Sequence, residues 1–174
     1  GPLEILQLWV NLPARLKLVQ PSYVGLQQAA IQAVTLIDGR VTVSLVAGAF
    51  EAAKGPIESH TGVFMAVVTL RPGGRVTLPA PAARNVLFYT VRGDVAVAGT
   101  NVQRFQLVQF AQDGDDICVE SADGATLLFG HADPINEPVA AYGPFVMNTH
   151  AEIEQAIRDY RAGKFEGVDV GKPA

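Results

Sequence analysis

From Val41 onward the chain is written in short apolar or β-branched runs broken by turn residues, and this rhythm restricts it to an all-β fold. Val41-Thr42-Val43-Ser44-Leu45-Val46 alternates in the manner of a half-buried strand. Phe64 to Leu70 is nearly all apolar, as expected of a strand buried on both faces, and Pro72-Gly73-Gly74 turns it. Val76-Thr77-Leu78 ends at the break Pro79-Ala80-Pro81. Val86 to Arg92 and Val95 to Val97 flank Gly93-Asp94, which reads as a hairpin connection. Gln106 to Phe110, the acidic turn Asp113-Gly114-Asp115-Asp116, Ile117 to Glu120 and Ala125 to Gly130 complete the set. Roughly eight or more short strands at this spacing predict a single antiparallel β-barrel or jelly roll.

The two ends read differently. Thr149, with Glu152 three residues on, has the spacing of a capping box. Ile153, Ala156, Ile157 and Tyr160 then form one apolar helical face, and Gly163 stops the helix. Phe145-Val146-Met147 precedes the cap as an apolar plug. The plug and the helix face serve either as core or as a contact for a further domain. Leu6 to Leu12 reads as a strand ended by Pro13. A connector follows to Arg40, with a short helix expected within Leu26 to Ala33. Residues 1–4 read as a cloning remnant, which would make the chain an excised half of a longer protein. Residues 166–174 read as a flexible tail. A length of 174 residues with 49% hydrophobic side chains supports one sizeable core, and only 17% are charged. The net charge of -4 offers no general attraction for nucleic acid. Cys118 is alone, so no disulfide forms within the chain, and its place in an alternating run reads as a buried, inert thiol. No apolar run is long enough to span a membrane and no basic leader is visible, so a cytoplasmic location is expected.

Several of these segments resemble one family. Asp133-Pro134-Ile135-Asn136-Glu137-Pro138-Val139, the run from Tyr142 through Gly143, Pro144, Phe145, Met147, Asn148 and Thr149, and the helix after it look like the C-terminal signature of pirins. Leu6-Gln7-Leu8-Trp9-Val10-Asn11-Leu12-Pro13 resembles the strand that closes a pirin's first domain. Gly55-Pro56-Ile57-Glu58, Leu70-Arg71-Pro72-Gly73-Gly74 and Tyr89 to Val95 match the second domain. The resemblance runs from about Leu6 to Phe165. It implies a cupin (jelly-roll) β-barrel with a C-terminal α-helix over residues 41–165, preceded over residues 5–40 by the last strand of an N-terminal domain and a connector.

Cupin enzymes hold a metal with several histidines and a glutamate on neighbouring strands, where residues two apart point the same way. This chain has three histidines, His60, His131 and His150. His60 has Glu58 two residues before it, but Gly62 stands two residues after, and no histidine lies between Thr61 and Gly130. Glu58 and His60 are therefore at most a vestigial metal pair. His131 is expected in a turn and His150 on the surface of the helix's first turn. No Gly-x-Ser-x-Gly elbow, phosphate loop or calcium loop is present. The resemblance implies one iron, held in the N-terminal half that this chain lacks, and associates the intact proteins with transcriptional co-regulation and quercetin 2,3-dioxygenase activity. The expected role here is a metal-free structural and protein-interaction module. Its partner would be the missing N-terminal cupin domain, another protein, or a second copy joined through the first strand or terminal helix. The alternative is a stand-alone cupin enzyme or ligand-binding protein using Glu58 and His60.

Overall fold

The computed structural model describes residues 1, 3–36 and 39–165, which fall into two compact units. The larger runs from Gly25 to Pro134. It contains β1 (Ala33–Leu36), β2 (Val41–Ala47), β3 (Ala49–Phe50), β4 (Ala53–Lys54), β5 (Phe64–Leu70), β6 (Gly74–Pro79), β7 (Asn85–Arg92), β8 (Val95–Val97), β9 (Thr100–Val102), β10 (Leu107–Val108), β11 (Asp116–Ser121) and β12 (Ala125–Ala132). Six strands form one sheet in the order β1-β2-β5-β12-β7-β10, and four form another in the order β6-β11-β8-β9. Every ladder is antiparallel. The inner faces of both sheets share one core, in which Val43, Leu45, Val68, Phe88, Leu127 and Phe129 meet Val76, Leu78, Val97 and Val119. This is the expected jelly roll, built as two facing sheets: among the described residues no ladder joins one sheet to the other.

The alternation that predicts the strands also sets their faces. In β2 every odd residue from Val41 to Ala47 is buried, and the even ones are half-exposed. β5 departs from expectation. Phe64, Ala66, Val68 and Leu70 are buried, but Met65 and Val67 are only half-buried and Thr69 is exposed, so one face alone is inside. Gly93-Asp94 is not a hairpin. β7 pairs with β12 and β10, whereas β8 pairs with β11 and β9, so the chain changes sheets there. Gly93 has φ +67°, and a Cβ on it would meet the Gly124 carbonyl oxygen at 2.1 Å, so only glycine makes this passage. The true two-residue hairpin is Ala98-Gly99, between β8 and β9. Both residues have positive φ, as a hairpin turn that follows the strand twist requires. The helix expected near Leu26 is one 3₁₀ turn, Gln28–Ala30.

The smaller unit joins Gly1–Val24 to the residues from Ile135 on. The run read as a first strand, Leu6 to Leu12, is not a strand: among the described residues its backbone takes part in no ladder, and a strand forms only where a neighbour accepts and donates its hydrogen bonds. A 3₁₀ turn follows at Ala14–Leu16. β13 (Ala140–Tyr142) and β14 (Phe145–Met147) form a hairpin through Gly143-Pro144, and α1 (His150–Arg161) follows. The helix carries the expected capping box: Glu152 donates its backbone N–H to Thr149 Oγ1, and its carboxylate accepts from the Thr149 N–H at 2.7 Å. Gly163 ends it at φ +72°. Phe145 packs with Tyr160 and Phe165 at ring separations of 6.1 and 6.4 Å, but Phe145 and Met147 are half-buried rather than buried. No described helix is long and apolar enough to cross a membrane. The tail read at residues 166–174 lies outside the described residues.

Candidate functional site

The interior of the jelly roll is where a cupin would hold an ion. Here the inward positions of β2, β5, β7, β11 and β12 carry valine, leucine, isoleucine, alanine and phenylalanine, and the buried polar residues described are Thr90, Ser121 and His131. Phe110, Phe88, Phe129 and Phe64 meet edge to face in sequence, with centroids 5.8, 6.5 and 5.9 Å apart, and fill the space between the sheets.

His131 ends this aromatic row. It is not in a turn: β12 runs on to Ala132, so His131 continues the inward face of Leu127 and Phe129. Its ring stacks on Phe64 at 4.8 Å and 8°, and only 8% of the residue is exposed. Burial pushes its pKa down to about 4, with the positive charge of Arg84 acting the same way and Asp133 opposing. The imidazole is therefore neutral at pH 7, and its Nδ1 has no hydrogen-bond partner. Arg84 spans the same end of the unit. Its Nη2 donates to the Gly62 carbonyl at 2.6 Å and its Nε lies 3.0 Å from Asp133. Sequence reasoning missed this group because it ended the strand at Gly130; alternation through Leu127, Phe129 and residue 131 is the signal that finds it.

Glu58 and His60 lie outside the interior, in the segment between β4 and β5. The Glu58 side chain is 87% exposed and 3.6 Å from Lys54, and His60 is an exposed turn residue. Neither lines a space between the sheets. Among the described residues no three His, Cys, Asp or Glu side chains gather around one point. The donor set that iron requires does not fit the described residues: apart from the Thr90 and Ser121 hydroxyls the inward positions are hydrocarbon, and the one inward imidazole described is wedged between phenyl rings.

Two other sequence readings are placed by the structure. Cys118 lies on β11 as expected but is half-buried, and it accepts a hydrogen bond from Arg75 Nε at 3.2 Å. That bond, foremost, pushes the Arg75 pKa up. In the acidic turn, the Asp115 carboxylate accepts from the Ala82 N–H and its carbonyl from the Ala80 N–H, so this aspartate staples two loops together. The cleft beside it, about 420 Å³, has Ala80, Val86, Phe110 and Ile117 along its floor.

The smaller unit is built around polar tethers. The Glu137 carboxylate accepts from the Ala14 N–H at 2.7 Å and from Asn148 Nδ2 at 2.9 Å. Asn148 Nδ2 also reaches the Pro138 carbonyl. Lys17 Nζ donates to Asn11 Oδ1 at 2.6 Å and to the Val146 carbonyl at 3.2 Å. These bonds fix the chain from Asn11 to Lys17 against the Gly143–Thr149 region. The Thr149 hydroxyl, followed by the Asn148 and Thr149 N–H groups and Lys17, holds the Glu152 carboxyl below its usual range. N-terminal to the tethers, Ile5, Leu6, Trp9 and Val10 remain 74%, 46%, 68% and 49% exposed. Trp9 is thus no core residue of this unit, and Gly143 and Pro144 are exposed turn residues.

Comparison with known proteins accounts for this arrangement. The model of the pirin C-terminal cupin domain matches residues 65–166. Pirin of Homo sapiens is 35% identical over 170 residues, which cover 94% of this chain and 57% of that protein. A pirin-like protein of Caulobacter vibrioides is 37% identical over 167 residues, covering 95% and 60%. Among solved structures, quercetin 2,3-dioxygenase from Acinetobacter baumannii superposes with a TM-score of 0.85 at 29% identity, over 92% of this chain and 56% of that one. The chain therefore spans less than two thirds of the length of these relatives. It belongs to the pirin family, of which it carries the C-terminal cupin domain.

Proposed function

We propose that this chain is a structural and protein-interaction module, and that it contains no metal centre of its own. The observation that carries this reading is the hydrocarbon interior of the jelly roll, together with the exposed Ile5–Val10 run that the Glu137, Asn148 and Lys17 tethers present. An extended run of apolar side chains outside every ladder is suited to completing the sheet of another β-domain. In an intact pirin-like protein that domain is the N-terminal cupin, where iron and any quercetin 2,3-dioxygenase or transcriptional co-regulator activity would reside. A second copy of the chain, meeting through the same run or through α1, is the other arrangement this surface permits. The chain's work is then to brace its partner and extend the surface it offers. The module acts in the cytoplasm.

Metal analysis of the purified chain tests the reading. The expected iron content is far below one per chain, with near-stoichiometric iron appearing only when the N-terminal domain is present. Iron bound tightly and stoichiometrically by this chain alone would overturn it. The stand-alone enzyme reading makes a separate demand. His60→Ala would have to abolish a measurable activity or ligand affinity, whereas an exposed turn residue gives no such loss.

A further inference from the structure

Phe105 stands at φ +66°, a conformation that a bulky L-residue adopts only when its surroundings force it. The surroundings are a set of short hydrogen bonds. The Phe105 N–H donates to the Thr90 carbonyl at 2.6 Å, and the Thr90 N–H donates to the Gln106 carbonyl at 3.0 Å. The Gln103 N–H donates to Gln106 Oε1 and the Arg104 N–H to Asp94 Oδ1. This rigid corner does not hide the ring. Phe105 is 63% exposed, and Leu107 beside it is 66% exposed. A strained aromatic residue that gains no burial serves no packing purpose within the unit. The Arg104 guanidinium lies 5.5 Å from the centre of the Phe105 ring and, among the described residues, makes no ion pair. Leu107 begins β10, the edge strand of the six-stranded sheet, which among the described residues has no strand on its outer side.

We infer that the Arg104-Phe105-Leu107 corner is a peptide-docking edge, which receives an extended segment of another polypeptide carrying a carboxylate between aliphatic side chains. The backbone of the segment would add to the open edge of β10, its aliphatic groups would cover Phe105 and Leu107, and its carboxylate would meet Arg104. Local charge decides the chemistry of the occupant: among the described residues the Arg104 guanidinium makes no ion pair, so an acidic segment gains a partner at this corner that a basic one lacks.

The test titrates the ¹⁵N-labelled chain with a capped pentapeptide of alternating leucine and glutamate, and with the same peptide bearing glutamine for glutamate. The acidic peptide is expected to shift the amides of residues 103–108 and their β7 neighbours, more weakly as salt rises, and the glutamine peptide to bind at least fivefold less tightly. Phe105→Gly should weaken binding at least tenfold while leaving the melting temperature unchanged or raised, because glycine accepts the positive φ. Arg104→Gln should remove the salt dependence. The inference is overturned by the absence of shifts at millimolar peptide or by shifts located elsewhere. It is also overturned by equal binding of both peptides, or by a Phe105→Gly variant that melts lower and binds normally. Self-association through these same amides, seen by sedimentation in place of peptide binding, would overturn the acidic segment as occupant.

Discussion

The two units keep their shape by opposite means. From Gly25 to Pro134, side chains from two sheets interleave until the inward polar groups are reduced to Thr90, Ser121 and His131. From Ile135 on, with Gly1–Val24, one residue of α1 is buried, Ile153, and the order comes from carboxylates, an amide and an ammonium placed on backbone groups. Hydrocarbon packing is not directional, and it tolerates substitution as long as volume is kept. A polar tether depends on a particular atom at a particular distance. The first unit should therefore fail by loss of volume, and the second by loss of single hydrogen bonds.

The largest loss is expected at Phe129, which sits between Phe64 and Phe88 and is fully buried. Phe129→Ala is expected to cost about 3–5 kcal/mol in urea-induced unfolding. A loss under 1 kcal/mol would mean that the core is looser than its contacts imply.

A smaller and pH-dependent effect is expected at His131. Its pKa falls from 6.5 to about 4 on folding, so the unfolded chain binds more protons between those values. Stability is complete above pH 6.5 and declines as the pH drops toward 4, by an amount on the order of 1–2 kcal/mol once solvent screening is allowed for. His131→Phe, which keeps the stack on Phe64, should remove most of that slope; an unchanged slope would assign it to carboxylates elsewhere.

Thr149→Ala tests the tethered unit. Loss of the cap is expected to cost about 1 kcal/mol, read as faster amide exchange in α1 with little change in the core strands. Glu137→Ala should free the Asn11–Lys17 stretch, seen as faster exchange at Ala14, whose N–H loses its acceptor. The smallest effect belongs to Trp9→Ala. Exposed and outside every ladder, this residue should alter unfolding by no more than about 0.5 kcal/mol, while reducing association with an N-terminal cupin domain if the proposed interaction holds.

How much of this was legible depended on how local the cause was. The capping box needs only Thr149 and Glu152, and it was readable from their spacing. Strand positions followed from alternation, as Val41 to Ala47 illustrates. Sheet membership did not, because nothing near Gly93 announces that β7 and β8 belong to different sheets; their partners β12 and β11 are distant in sequence. Glu58 and His60 were read as a candidate pair from spacing alone, and spacing aligns two side chains only when the segment is a strand, which theirs is not. Glu137 and Lys17 gave no signal because their partners, Ala14 and Val146, are far along the chain.

The place of β12 bears on how the protein is made. It lies between β5 and β7, so the middle of the six-stranded sheet is the last part of it to leave the ribosome. Until Ala125–Ala132 emerges, β5 and β7 each present an unsatisfied edge and Phe64 and Phe88 have no Phe129 between them. The nascent chain must wait with sticky strands exposed and then close long loops at one step, a route that folds slowly and invites pairing with the wrong neighbour.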